Sequence, residues 1–208
     1  MNLPNRLTVL RFLLTAIFVW AVFSHLHFGN TLALVLFCAA GVTDILDGRI
    51  ARQRGLITNF GILMDPLADK ILICSAFIVL VERHVTTLLP AAFHLGDLTF
   101  RPKVEAWMVV IIVARELAIT GLRLLAASKN VVLAAENYGK HKTLSQIVAI
   151  IALLVLDAYR EWWPWLQDAL KGWVPAFALV ALWVTVVLTT TSGMLYLWRN
   201  RALYLNDV

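Results

Sequence analysis

Residues 44–69 read DILDGRIARQRGLITNFGILMDPLAD, and the fold follows from how this stretch is understood. It holds two pairs of aspartates, Asp44 with Asp47 and Asp65 with Asp69, each in or beside a strongly apolar segment. On helices the first pair is i,i+3 and the second i,i+4, so each pair shares one face. Antiparallel packing of the two helices then brings all four carboxylates to one site. Four unpaired carboxylates there repel one another and lose hydration, so something cationic must sit between them. Donors that are all carboxylate oxygens suit Mg²⁺ or Mn²⁺, and the number of acids allows two ions. Gly48 and Ala51 leave room for a ligand to lie against the backbone, and Arg52, one turn after Gly48, is placed to meet a phosphate.

The surrounding composition says what kind of helices these are. The chain has 208 residues, 61% of them hydrophobic and 15% charged, with a mean hydropathy of +0.79. Soluble domains average about 45–50% apolar and about 25% charged, so a polytopic membrane protein is expected. In that setting the solvated-loop reading of the four acids loses ground, because ionisable residues in membrane segments are rare and usually functional. The net charge of +5 is accounted for by basic residues at helix ends and does not call for nucleic acid. Cys38 and Cys74 both fall in apolar runs, which argues against a disulfide framework and against a cysteine metal site. The expected fold is all-α: six transmembrane helices in one bundle after a short N-terminal interfacial segment, forming a single domain over 1–208.

Apolar runs place the spans at about residues 7–24, 31–50, 61–81, 104–127, 143–159 and 174–198. Arg11 lies close enough to the start of the first to snorkel, and that run is expected to be retained, not cleaved as a signal peptide. Pro66 falls in the first turns of the third span, where its missing donor costs least. Residues 82–103 read as an external loop, and Trp162, Trp163, Trp165 and Trp173 as an interfacial belt. Arg6, Arg11, Arg52, Arg54, Lys129, Lys140, Lys142, Arg199 and Arg201 outnumber the basic residues of the opposite connectors. Both termini, and the acids with them, are therefore expected in the cytoplasm.

The spacing D-x2-D-G-x2-A-R-x8-G-x3-D-x3-D resembles the signature of the CDP-alcohol phosphotransferase family, with every fixed position filled. The resemblance implies transfer of a substituted phosphate from a CDP-linked donor to an alcohol, with release of CMP. It implies that Asp44, Asp47 and Asp65 bind metal, and that Asp69 is partly a ligand and chiefly the base for the incoming hydroxyl. By the same similarity Gly48, Ala51, Arg52, Thr58 and Gly61 contact the CDP-linked donor, joined by Asn5 ahead of the first span. A homodimer in the cell's inner membrane is also implied. A cation transporter is the competing class, but the acids cluster at one membrane face and the outer halves of the spans hold nothing comparable.

The acid motif leaves the acceptor open. Three further stretches, NLPNRLTVLR at 2–11, ARELAITGLR at 114–123 and GKHKTLSQ at 139–146, resemble the bacterial phosphatidylglycerophosphate synthase branch of the family. That branch implies CDP-diacylglycerol as donor and sn-glycerol 3-phosphate as acceptor; a phosphorylated inositol, or phosphatidylglycerol in a cardiolipin-type reaction, are the alternatives. A dianionic acceptor beside so many carboxylates needs dedicated cations. Arg115, Arg123, Lys140 and Lys142 are the candidates. Arg115 and Arg123 stand about 80° apart around their helix and about 12 Å along it, so one direct contact and one supporting contact are expected. An internal ion pair of Arg115 with Glu116 or with the acidic site is the structural alternative. The external loops and the last span are uninformative.

Overall fold

The computed structural model describes residues 3–24, 26–54, 59–86, 93–95, 98–100, 103–129 and 138–201. Side chains are described over the same residues except 3, 4, 45, 47–54, 59–63, 84–86, 93–95, 98–100, 127, 128 and 138–141.

Among the described residues there are six long helices: α1 Leu3–Phe23, α2 Gly29–Arg54, α3 Asn59–Thr86, α4 Ala106–Ser128, α5 Tyr138–Ala158 and α7 Val174–Arg199. A 3₁₀ turn, Tyr159–Glu161, and the short α6, Pro164–Leu170, lie between α5 and α7. The tryptophan belt thus has structure of its own, with Pro164 at the first position of α6, where a missing N–H costs nothing. Except for α4, the long helices exceed the expected spans. Glu82 and Arg83 belong to α3, and the loop beyond them holds an antiparallel hairpin, β1 Phe93–Leu95 with β2 Leu98–Phe100, pairing Phe93 with Phe100 and Leu95 with Leu98. This is the one departure from an all-helical chain among the described residues. Because α3 begins at Asn59, Pro66 stands inside the helix and not in its first turns; there it withholds a donor from the helix ladder.

α1 packs along both α2 and α3, whereas α2 and α3 touch each other only sparingly among the described residues. α5 lies against α7 and α2, and α7 also carries α4. The shared core is apolar, with Phe18, Phe37, Phe77, Leu80, Ile112, Ile150, Leu153 and Leu182 almost wholly buried. Outside it the apolar residues are turned outward: Trp20, Val35, Ile78, Val110, Leu117, Leu124 and Val180 are all more than half exposed. A bundle that is apolar inside and out is built for lipid. Among the described residues three segments, Asn5–Phe23, Lys142–Glu161 and Val174–Arg199, are long and apolar enough to cross a membrane, and Gly29–Asp44 is a shorter apolar stretch. The charges of interest fall on the other long helices, Asp44 and Asp47 on α2, Asp65, Asp69 and Lys70 on α3, and Arg115, Glu116 and Arg123 on α4. The chain is a membrane protein.

At the end of the bundle away from the acids, Glu161 fixes the start of α2. It accepts from the backbone N–H of Asn30 (3.0 Å) and Thr31 (2.8 Å) and from the Thr31 hydroxyl (2.6 Å). These N–H groups have no partner within the helix, and a carboxylate suits the positive helix end. Trp162 Nε1 donates to Thr31 Oγ1 (2.9 Å), and Arg83 donates to the Val22 carbonyl (3.1 Å) and to Asn30 Oδ1 (2.5 Å).

Candidate active site

The acids meet through α1. Arg11 Nη1 lies 2.7 Å from Asp44 Oδ1, and three residues earlier on the same face Thr8 Oγ1 donates to Asp65 Oδ1 at 2.6 Å. Arg11 does not snorkel: it is fully buried, and so is Thr8. A guanidinium removed from water needs a charged partner, and Asp44 is close enough to be one. The Asp44 side chain is itself 44% exposed, so the pair has one side in the core and one open to a ligand. Asp69 follows Asp65 by one turn on α3 and stands within electrostatic range of Asp44, Arg11, Lys142 and Lys70. Among the described residues it is α1 that touches one acid of each pair.

Asp47, Gly48, Ala51 and Arg52 have helical backbone in α2, Gly61 in α3 and Lys140 in α5, but their side chains lie outside the description, as does Thr58 entirely. Asn5 is half-buried in the first turn of α1. Among the described residues no three acids, histidines or cysteines form a metal-ligating group as they stand.

The cations form a second layer around Glu116. Its Oε1 receives Arg115 Nη1 at 3.3 Å, Gln146 Nε2 at 3.4 Å and a close ion pair from Lys142. Glu116, Lys142 and Gln146 are all buried. The alternative reading of Arg115 as an ion-pair partner of Glu116 is therefore realised, and Lys142 shares that partner. The two cations against one carboxylate leave net positive charge, and Lys142 remains within electrostatic range of Asp69, Lys70 and Arg115. Arg123 is exposed and lies over the Tyr196 ring at 5.9 Å, a cation–π contact. Arg115 thus faces the bundle interior while Arg123 lies on the surface.

The last helix takes part after all. Arg115 Nη2 reaches Ser192 Oγ at 3.5 Å, and its aliphatic stem crosses Gly193 so closely that a Cβ there would stand 2.7 Å from Arg115 Cγ. Thr8, Arg11, Lys70 and Gln146 were not among the candidates. The signals were present: Thr8 and Arg11 share a face in an otherwise apolar run, and Lys70 directly follows Asp69. None of these signals names the partner.

Comparison with known proteins gives the family. The profile of the CDP-alcohol phosphatidyltransferase family matches residues 1–191. The CDP-diacylglycerol–glycerol-3-phosphate 3-phosphatidyltransferase of Bacillus subtilis (strain 168) is 37% identical, over 96% of this chain and 95% of that protein. A probable phosphatidylglycerophosphate synthase of Mycobacterium tuberculosis is 35% identical, over 95% of this chain and 81% of its own. The CDP-diacylglycerol–glycerol-3-phosphate 3-phosphatidyltransferase of Shigella flexneri serotype 5b is 31% identical, over 97% of this chain and 96% of its own. A transferase, this chain belongs to the CDP-alcohol phosphatidyltransferase family.

Proposed function

We propose that the chain transfers the phosphatidyl group of CDP-diacylglycerol to sn-glycerol 3-phosphate, giving phosphatidylglycerophosphate and CMP. The observation that carries this reading is the full-length likeness to relatives named for that reaction. The juxtaposition of an acidic layer with a cationic one supports it physically.

Asp44, Asp47, Asp65 and Asp69 would hold Mg²⁺ or Mn²⁺, two ions by the number of acids. All four donors are hard carboxylate oxygens, which fits either metal. When bound there, such ions would supply charge neutralisation for the diphosphate and alignment for the attack. By the family resemblance Asn5, Gly48, Ala51, Arg52, Thr58 and Gly61 would contact the CDP-linked donor. Asp69 takes the proton of the acceptor hydroxyl as its oxygen bonds to the phosphorus that carries diacylglycerol. The bond from that phosphorus to the CMP oxygen breaks, and CMP leaves with the bonding pair. Lys142 and Arg115, held by Glu116, attract the acceptor's phosphate, with Arg123 and Lys140 as outer cations. The single domain spans the inner membrane six times as a homodimer, with both termini and the acids in the cytoplasm.

The test is CMP release by the purified protein. Release from CDP-diacylglycerol should require both Mg²⁺ or Mn²⁺ and glycerol 3-phosphate, and should stop when a chelator is added. Equal release without acceptor, or in excess chelator, contradicts the reading.

A further inference from the structure

We propose that Thr8 and Arg11 are the positioning residues of the metal site: from one face of α1 they set the spacing of the two acid-bearing helices, and with it the affinity for a divalent cation. The inference rests on the acids being metal ligands, as read above, and concerns residues outside the acid motif.

Three observations carry it. The first is geometric. Arg11 reaches Asp44 on α2 (2.7 Å) and Thr8 reaches Asp65 on α3 (2.6 Å), so neighbouring side chains of one helix grip one acid from each pair. The second is topological. Among the described residues α1 packs along both α2 and α3, so the helix that carries Thr8 and Arg11 lies against both acid-bearing helices. The third is burial. Both side chains are wholly enclosed, and an alkyl side chain would fill the place of Arg11 without the desolvation penalty of a guanidinium. A buried charge aimed at a half-exposed carboxylate orients that carboxylate. Each contact engages Oδ1. Partners of this kind, which orient a ligand without touching the metal, typically alter metal affinity about 10–100-fold when removed. Arg11 also keeps a positive charge beside Asp44 when no cation is bound, which limits repulsion with Asp69 nearby.

The experiment uses the full chain in detergent micelles and follows free Mn²⁺ by electron paramagnetic resonance during titration. Thr8→Val keeps the shape and removes the hydroxyl; Arg11→Lys keeps the charge and removes the planar fork. Each should raise the Kd for Mn²⁺ about tenfold, the double variant more, and CMP release should recover when Mn²⁺ is raised above the new Kd. Variants that bind Mn²⁺ as tightly as the wild type overturn the proposal, even if their thermal stability has dropped, because the two residues are then packing residues only. Thr8→Val decides alone if Arg11→Lys fails to fold. A wild-type chain that binds no Mn²⁺ overturns the metal reading itself, and this proposal with it. Binding by the wild type with unchanged variants overturns this proposal only.

Discussion

The two ends of the bundle are both rich in polar side chains, and they use them differently. At the outer end Glu161 is taken up by the N-terminus of α2, and Arg83 donates to a carbonyl and to Asn30. Charge there closes on protein. At the inner end Arg11 holds Asp44, whose side chain is 44% exposed, Thr8 holds Asp65, and Glu116 holds two cations with one carboxylate. Charge there is organised but not used up. The first arrangement stabilises a fold, and the second prepares a site for a ligand of mixed charge, such as a metal-bound diphosphate beside a second phosphate.

Substitutions at the two ends should therefore separate activity from stability. The largest effect is expected for Asp69→Asn, which removes the base with almost no change in shape. Turnover should fall about a thousandfold while the thermal midpoint stays near that of the wild type; steady-state CMP release and a melting curve on the same preparation check this. Next comes Glu161→Ala at the outer end, which strips the charged cap from α2. It should cost about 2 kcal/mol of stability and leave kcat and KM unchanged below the melting range. A loss of activity without a loss of stability would erase the distinction between the ends.

Two subtler changes sharpen the picture of the inner end. Glu116→Gln leaves Lys142 and Arg115 without their shared counter-ion, so both lose their fixed positions. The KM for glycerol 3-phosphate should rise about tenfold with a smaller change in kcat, since the cations bind acceptor and do not move its proton. The smallest effect is expected for Gly193→Ala on α7. Its Cβ would meet the Arg115 stem at 2.7 Å, so Arg115 must shift, and the acceptor KM should rise a few-fold while the donor KM holds. Equal changes in both would mean that α7 packs the bundle without shaping the acceptor end.

The legibility of this molecule in its sequence divides along similar lines. The acid spacing, the long apolar runs and the cations of α4 and α5 are local patterns, and helix periodicity turns a local pattern into a face. What joins the faces is not local. Arg11 looked like a snorkelling residue because its partner, Asp44, sits on another helix. Pro66 looked closer to the helix end because the span is expected from about Gly61, whereas α3 begins at Asn59. The apolar last helix seemed silent, yet Gly193 matters for what it lacks, and only the path of Arg115 reveals that. The hairpin was more accessible: Gly96–Asp97 between two short runs is a recognisable turn signal.

The central claim is that the inner end is an active site built for a phosphorylated acceptor. Its most direct test offers labelled CDP-diacylglycerol to the purified protein together with glycerol 3-phosphate, inositol phosphate, inositol, serine and phosphatidylglycerol at equal concentrations. The account predicts that label passes to phosphatidylglycerophosphate, with CMP released in equal amount. Preferred transfer to inositol, serine or phosphatidylglycerol would contradict it, because none of these presents the dianionic phosphate for which Arg115 and Lys142 are held in place.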